Sequence, residues 1–213
     1  MRKFIVVAVM LLAMGAVAAA QDVPQVEIFG GYSLFHFDDQ GAETLVVGLA
    51  PGSSVNKNVH GFEFSGQVNV NKWLGIVGDV SGHYGTLIDV AATPAPTPAF
   101  GVSGNIYNFL FGPQLNYRTE KATVFAHALF GGNRLGINAI GAPFSSPALS
   151  DTGFGMGIGG GLDVNAGKKF AIRVGQFDYI FSNHTFTQYG LNVPHQNNFR
   201  FSAGIVLKLG EKR

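Results

Sequence analysis

Near its C-terminus the chain alternates between apolar side chains and polar or small ones. One face of residues 198–209 carries Phe199, Phe201, Ala203, Ile205, Leu207 and Leu209, and the other carries Asn198, Arg200, Ser202, Gly204 and Lys208. Successive side chains of a β-strand point to opposite faces, so this pattern predicts a strand with one apolar face. About ten residues are enough for a tilted strand to cross a bilayer. A soluble sheet would suit the same segment, and the rest of the chain has to decide between the two.

Eight segments share this period of two. They are residues 25–37, 59–70, 73–84, 104–117, 122–132, 152–164, 169–181 and 198–209. Short links at 71–72, 118–121 and 165–168 alternate with long links at 38–58, 85–103, 133–151 and 182–197. Short periplasmic turns opposite long extracellular loops, with an even strand number, are typical of bacterial outer-membrane barrels. The sequence therefore predicts an all-β fold, an eight-stranded antiparallel up-and-down transmembrane β-barrel with both ends in the periplasm.

The side of the last strand that meets lipid follows from the free-energy cost of each choice. With the other face outward, Arg200 and Lys208 would point into the bilayer, at about 2–4 kcal/mol each near its midplane. Each large apolar side chain withdrawn from lipid would add about 1.5–3 kcal/mol. The charged face is therefore predicted to line the barrel interior.

Two segments are harder to orient. In the seventh segment Arg173 faces inward, but strict alternation would then turn Gln176 and Asp178 towards lipid. A β-bulge near Gly175-Gln176 would restore the pattern and place Phe177 and Tyr179 outward. Without a bulge, Asp178 would have to lie above the membrane. The fifth segment has two nearly equal faces, and the sequence leaves its orientation open.

Glycine alternates with bulky residues in the sixth segment. Gly153, Gly155, Gly157, Gly159 and Gly161 share the face of Asp163, opposite Phe154, Met156, Ile158 and Leu162. Glycine in a strand often marks close approach by another group. We expect this glycine stripe to leave room in the interior for long charged side chains from opposite strands.

The N-terminus and the composition agree with this location. Arg2 and Lys3 precede an apolar stretch that ends in Ala18-Ala19-Ala20, the pattern of a cleavable signal peptide. We expect a signal peptide at residues 1–20 and a barrel domain at 21–213. Only 13% of residues are charged, against about a quarter in soluble proteins. The net charge of +1 and the absence of cysteine give no reason to expect a nucleic-acid partner or a disulfide framework.

Charged residues on the predicted inner face form the candidate site. They are Glu27, Glu63, Asp79, Asp163, Arg173, Arg200 and Lys208. Strand direction places Glu27, Asp163, Arg173 and Lys208 in the periplasmic half of the barrel. It places Glu63 and Arg200 in the outer half. Buried charges must be paired, and an eight-stranded barrel is only wide enough for side chains to fill it. The set predicts a structural plug of salt bridges, and the alternative is a small-solute channel in which the pairs rearrange.

Catalytic and metal chemistry have little support. The six histidines, His36, His60, His83, His127, His184 and His195, show no metal-ligand spacing. His184 and His195 share one predicted loop. After the plugged barrel and the channel, a lipid-modifying acyl enzyme is the third functional alternative. Its candidate catalytic residues are His83 with Ser81, and His127. The glycine runs lack the lysine and the helix of a phosphate-binding loop. We expect no catalytic residue, no cofactor and no metal.

Aromatic residues are predicted at both membrane interfaces. Trp73, Tyr117 and Phe170 fall at the periplasmic edge, and Tyr32, Tyr84, Tyr107 and Phe199 fall towards the outside, as in the aromatic girdles of membrane barrels. A soluble lipocalin-like barrel is the structural rival. It would turn its apolar face inward and would not bring Arg and Glu into its interior.

Several segments resemble the OmpA/OmpX-type family of small outer-membrane barrels. They are residues 28–33 (IFGGYS), 109–114 (FLFGPQ), 159–163 (GGGLD), 172–179 (IRVGQFDY) and 199–205 (FRFSAGI). The resemblance covers nearly the whole mature chain and implies the fold and varied roles in envelope integrity, adhesion, complement defence and weak pores. Two departures from the family matter: we expect no peptidoglycan-binding domain after the barrel, and residues 209–213 lack the aromatic residue with which many such barrels end. We expect the insertion machinery to use Leu209 or an internal signal.

The resulting functional expectation is structural. The protein is expected in the outer membrane, in contact with lipid and lipopolysaccharide, inserted by the barrel-assembly machinery, and stabilising the envelope while its loops meet an extracellular ligand. Residues 91–98, a Pro/Thr/Ala run, are the loop segment least able to pack. Other charges lie in the short turns, at Lys72, Arg118, Glu120, Lys121, Lys168 and Lys169. The sequence names no ligand and no oligomeric state.

Overall fold

A computed structural model describes residues 23–37, 54–55, 58–90, 100–140, 149–186 and 191–212. The expected signal peptide and the Pro/Thr/Ala run lie outside these residues. Within them no helix is long and apolar enough to span a membrane. The strands are β1 Val23–His36, β2 Ser54–Val55, β3 Asn58–Asn69, β4 Leu74–Val90, β5 Phe100–Arg118, β6 Ala122–Ile140, β7 Leu149–Asn165, β8 Phe170–Phe186 and β9 Leu191–Lys212.

Eight of these strands close into a ring. Each of β3 to β8 pairs antiparallel with the next strand, and β1 pairs with both β3 and β9. The two-residue β2 pairs with β4 only. The predicted eight-stranded antiparallel barrel is confirmed. Among the eight described strands of the ring, closure leaves no strand with an unpaired side, as a membrane-spanning sheet requires.

The periplasmic ends of the strands lie where the sequence places them, but the extracellular ends do not. The three short links lie at residues 70–73, 119–121 and 166–169. On the opposite side β4, β5, β6, β8 and β9 run four to eight residues further than predicted, for example to Ile140 in β6 rather than residue 132. Large parts of the predicted long loops are therefore strand. Lipid does not impose alternation beyond the membrane, so the sequence pattern fades there while backbone pairing continues.

The lipid-facing surface is apolar, as predicted. Tyr117 is 72% exposed, Phe177 69% and Phe199 57%, whereas Arg200 is 1% exposed. The predicted interface residues Trp73, Phe170, Tyr32 and Tyr84 are also exposed. A soluble barrel would have the reverse arrangement, so the lipocalin-like alternative is wrong.

The predicted bulge in the seventh segment is present in β8, one residue earlier than expected. Arg173 pairs with Gly204 and Gln176 with Ser202, so Val174 and Gly175 together oppose one residue of β9. The register against β7 also shifts at this point. Beyond the bulge Gln176 and Asp178 are buried in the interior and Phe177 faces lipid. The bulge therefore allows Arg173 and Asp178, which lie an odd number of residues apart on β8, to face the interior together.

Deleting Gly175 is expected to leave a folded barrel. The deletion makes β8 regular while Arg173, Gln176 and Asp178 keep their inward faces, because the bulge contributes one residue more than β9 does. Deleting Gly204 in the regular part of β9 is the matched control. It moves all residues on one side of the deletion to the other face, which turns Arg200 to lipid or Leu207 inward. Heat-modifiable gel mobility after refolding measures the folded fraction of each deletion variant. Equal folded fractions for the two variants would contradict the bulge.

Neighbouring strands determine the orientation of β6, which its own sequence left open. Thr123, Phe125, His127, Leu129 and Asn133 are buried inside. Their partners across the β6–β7 ladder belong to the glycine stripe, whose face is set by Asp163. Small Gly residues opposite Phe125 and Leu129 let these large side chains occupy the interior. β6 therefore carries its bulkier face inward in this part of the barrel.

The glycine stripe does create room inside, and its occupants are mixed. A Cβ added at Gly159 would meet the carboxylate of Asp178, on the neighbouring strand β8. Cβ atoms added at Gly157 and Gly161 would meet Leu110, Ile180 and Phe125. The expectation of long charged side chains from opposite strands is therefore wrong for most of the stripe. Apolar side chains and one adjacent carboxylate line part of the stripe, and Asn133 and His184 lie against Gly155 and Gly153.

Candidate functional site

Three carboxyl groups converge on one guanidinium near the middle of the barrel. Arg200 donates from Nη1 and Nη2 to Asp79 at 2.8 and 3.2 Å, and from Nε and Nη2 to Asp178 Oδ2 at 2.8 and 2.7 Å. Its Nε also lies 3.4 Å from Glu63 Oε2. We call these four residues the central cluster. All four are at most 2% exposed, so they are removed from bulk water and depend on one another.

The four members come from four different strands. Period-two alternation turns Arg200 of β9, Asp79 of β4, Glu63 of β3 and Asp178 of β8 into the interior. Arginine suits this place because its planar fork binds carboxylates in pairs and keeps its charge. The contact from Arg200 to Asp79 joins β9 to β4, two strands that do not pair with each other and are separated in the ring by β1 and β3. The central cluster therefore bridges the lumen.

A second ion pair lies beside the central cluster. Arg173 donates from Nε and Nη2 to Asp163 at 2.8 and 3.1 Å, and from Nη1 to Gln176 Oε1 at 2.6 Å. Its guanidinium lies 4.2 and 4.3 Å from the ring centres of Phe29 and Phe125, at cation–π distance. Gln176 in turn donates to Glu63 and Asp178, which joins this pair to the central cluster.

The periplasmic end carries a third charged group. Arg118 donates to both carboxylate oxygens of Glu27, at 2.6 and 3.3 Å, and to Asn69 at 3.0 Å. Lys208 is half-buried, and its Nζ lies 2.5 Å from Asn165 Oδ1. This end opens into cavities at the mouth of the barrel. The periplasmic charges are therefore less enclosed than the central cluster.

Amides and hydroxyls extend the polar contacts to the extracellular side. His184 Nε2 lies 2.7 Å from Asn133 Oδ1, and Asn133 donates to Asn108 at 2.6 Å. Asn108 and Arg200 both donate to the Ser81 hydroxyl, at 3.1 and 3.0 Å. A further hydrogen-bonded run leads from the central cluster to the periplasmic end through His127, Gln114, Gln67, Asn69 and Arg118. Polar contacts thus connect both halves of the interior.

All seven residues singled out from the sequence face the interior, in separate groups. Glu63, Asp79 and Arg200 meet in the central cluster, Asp163 meets Arg173, and Glu27 and Lys208 lie at the periplasmic end. The charged set predicted from the sequence does not include four residues that join these groups, namely Asp178, Gln176, His127 and Arg118. Asp178 and Gln176 follow from the bulge once it is accepted. Arg118 could have been found by continuing the inward face Gln114–Asn116 by one more step.

The residues considered for catalysis do not form a catalytic arrangement among the described residues. His83 Nε2 lies 2.8 Å from the hydroxyl of Ser33, not of Ser81, and His83 is completely buried. Ser81 is occupied by Arg200 and Asn108, and His127 Nε2 lies 2.8 Å from Asp178 Oδ1. No group of three metal-ligating side chains occurs in the described part of the chain.

The family to which the chain belongs agrees with this architecture. A family model described as the outer membrane protein beta-barrel domain matches residues 4–208. The chain belongs to this family. It is accordingly a protein of the bacterial outer membrane, as its strand faces predict. No curated protein sequence matches it significantly.

Solved structures agree with this family on the fold. The outer-membrane barrel is similar to Ail, the attachment invasion locus protein of Yersinia pestis, with a TM-score of 0.52 and 16% identity over 86% of this chain and 99% of that one. Ail has also been solved in complex with the heparin analogue sucrose octasulfate. Neisserial surface protein A gives a TM-score of 0.52 with 13% identity, over 87% of this chain and 97% of the other.

Proposed function

We propose that this outer-membrane barrel is a closed structural protein of the envelope that presents its extracellular loops to ligands and has no enzymatic activity. The observation that carries the proposal is the central cluster, in which Arg200 spans the lumen to Asp79. The proposal also takes residues 1–20 to be a cleaved signal peptide. Contact with lipopolysaccharide and insertion by the barrel-assembly machinery follow from the same location.

A plugged lumen is supported by the energetics of opening it. A solute path requires Arg200 to leave Asp79 and Asp178, with which it is buried in this structure. Breaking a buried ion pair leaves uncompensated charges, which costs about 3–5 kcal/mol. Apolar side chains such as Phe29 and Leu129 occupy further interior space. These contacts support a closed lumen.

We assign ligand binding to the loops because buried side chains of the central cluster occupy the middle of the barrel. The structure of Ail with a heparin analogue supports an extracellular, polar ligand for a barrel of this shape. The absence of a catalytic arrangement around His83, Ser81 and His127 supports a role without catalysis.

Bacteria that lack this protein are expected to become more sensitive to detergents, because the outer membrane loses a stabilising component. Growth in graded detergent measures the effect, and lipopolysaccharide from the same strains is expected to keep its acylation pattern. The wild-type gene should restore resistance, as should a His83→Ala, His127→Ala double variant that folds. Unchanged resistance would contradict the envelope role. Acylation that changes with the two histidines would instead identify an enzyme.

A further inference from the structure

An apolar groove lies on the lipid-facing wall near the periplasmic end of the barrel. It has a volume of about 360 Å³ and is lined mainly by Trp73, Leu115, Tyr117, Val124 and Ala126. In the β5–β6 ladder Leu115 pairs with Ala126 and Tyr117 with Val124. The small side chain of Ala126 leaves the groove between its larger neighbours. The dimension and the apolar lining suit a segment of hydrocarbon chain.

The groove lies beside a cation-lined cavity at the barrel mouth, with which it shares lining residues. This cavity, of about 680 Å³, shares Trp73 and Tyr117 with the groove and carries Lys72, Arg118 and Lys208 against Glu120. Lys72 is exposed. Arg118 is already engaged by Glu27, so Lys72 is the cation best placed to meet an anion beside the groove. An apolar surface and a positive charge thus meet at the level of the membrane interface.

We propose that this is a binding site for one anionic phospholipid of the periplasmic leaflet. An acyl chain occupies the groove, and Lys72 binds the phosphate. Trp73 and Tyr117 hold the junction between the two parts, since amphipathic aromatic rings favour the interface. A soluble phosphate would use the mouth and leave the apolar groove unexplained. The site depends on the barrel and its orientation, and is independent of whether the lumen is plugged.

The single tryptophan of the chain, Trp73, reports directly on the site. Protein purified from outer membranes is placed in phosphatidylcholine vesicles that contain a small fraction of acyl-brominated phosphatidylglycerol, whose bromine quenches a nearby indole. One lysine at a membrane surface enriches anionic lipid about fivefold. We therefore expect about fivefold more quenching than the same fraction of brominated phosphatidylcholine gives.

Matched variants separate this site from general charge attraction. Lys72→Gln is expected to reduce quenching to the phosphatidylcholine level, whereas Lys168→Gln, on the β7–β8 turn, should leave it unchanged. Added inorganic phosphate should not relieve the quenching. Equal quenching by the two lipids would overturn the proposal, as would equal effects of the two lysine variants. Relief by inorganic phosphate would show a simple anion site and would also overturn it.

Discussion

Replacing Arg200 with methionine is expected to lower the free energy of unfolding by about 3–5 kcal/mol, the usual effect of removing one partner from a buried ion pair. The variant leaves Asp79, Asp178 and Glu63 close together without the guanidinium that holds them. Three ionised carboxylates cannot be accommodated there without water or protons. Guanidinium unfolding of the barrel in lipid vesicles, followed by Trp73 fluorescence, measures the loss.

Two further variants make the Arg200 result specific. Arg134→Met removes a charge from an exposed arginine, whose guanidinium lies 3.4 Å from Ser150, and is expected to change stability by no more than about 0.5 kcal/mol. Adding Glu63→Gln and Asp79→Asn to Arg200→Met should recover part of the loss, because the unpaired charges disappear. An Arg200 effect as small as that of Arg134 would show that the central cluster does not hold the barrel together.

Replacing Gly159 with alanine is expected to destabilise the barrel by about 1–3 kcal/mol, the usual range for overpacking. Its Cβ would meet the Asp178 carboxylate and the backbone carbonyl of Phe177. The carbonyl belongs to the β7–β8 ladder and cannot move without disturbing the pairing. Asp178 would have to withdraw from Arg200. The same unfolding measurement detects the effect.

Gly66→Ala is the matched control for Gly159→Ala. A Cβ at Gly66 meets nothing within 4 Å, and this glycine also lies inside a strand, β3. Alanine is preferred over glycine in a regular strand by roughly 0.5–1 kcal/mol, so this variant is expected to be neutral or slightly stabilising. Equal destabilisation by the two substitutions would mean that the glycine stripe serves strand flexibility, not close packing.

The sequence determines the fold where lipid imposes a cost. Charged residues cannot face hydrocarbon, so Arg200 orients β9, and Arg173 with Asp178 requires a bulge that the structure places within one residue. The sequence does not orient β6, because Val124 and Phe130 on one face are about as apolar as Phe125 and Leu129 on the other. Its orientation comes from neighbouring glycines, which a single-strand pattern does not contain.

The contacts inside the barrel are less accessible to sequence reasoning. Which inward residues meet depends on the stagger between strands, and alternation fixes faces without fixing that stagger. Thus Arg200 and Asp79 were both expected in the interior, but their pairing across the ring was not. Arg118 looked like a turn charge because it is the last residue of β5. Outside the membrane, lipid no longer enforces alternation. The sequence pattern therefore predicts strands that are too short at their extracellular ends.

Planar-bilayer conductance of protein purified from outer membranes tests the plugged lumen most directly. We predict no reproducible open steps for the wild type, because we propose that the contacts of Arg200 with Asp79 and Asp178 keep the lumen closed. Heat-modifiable gel mobility confirms that the added protein is folded. Reproducible steps from the folded wild type, enlarged by Arg173→Ala, would contradict the account and identify a channel whose charged pairs act as its gate.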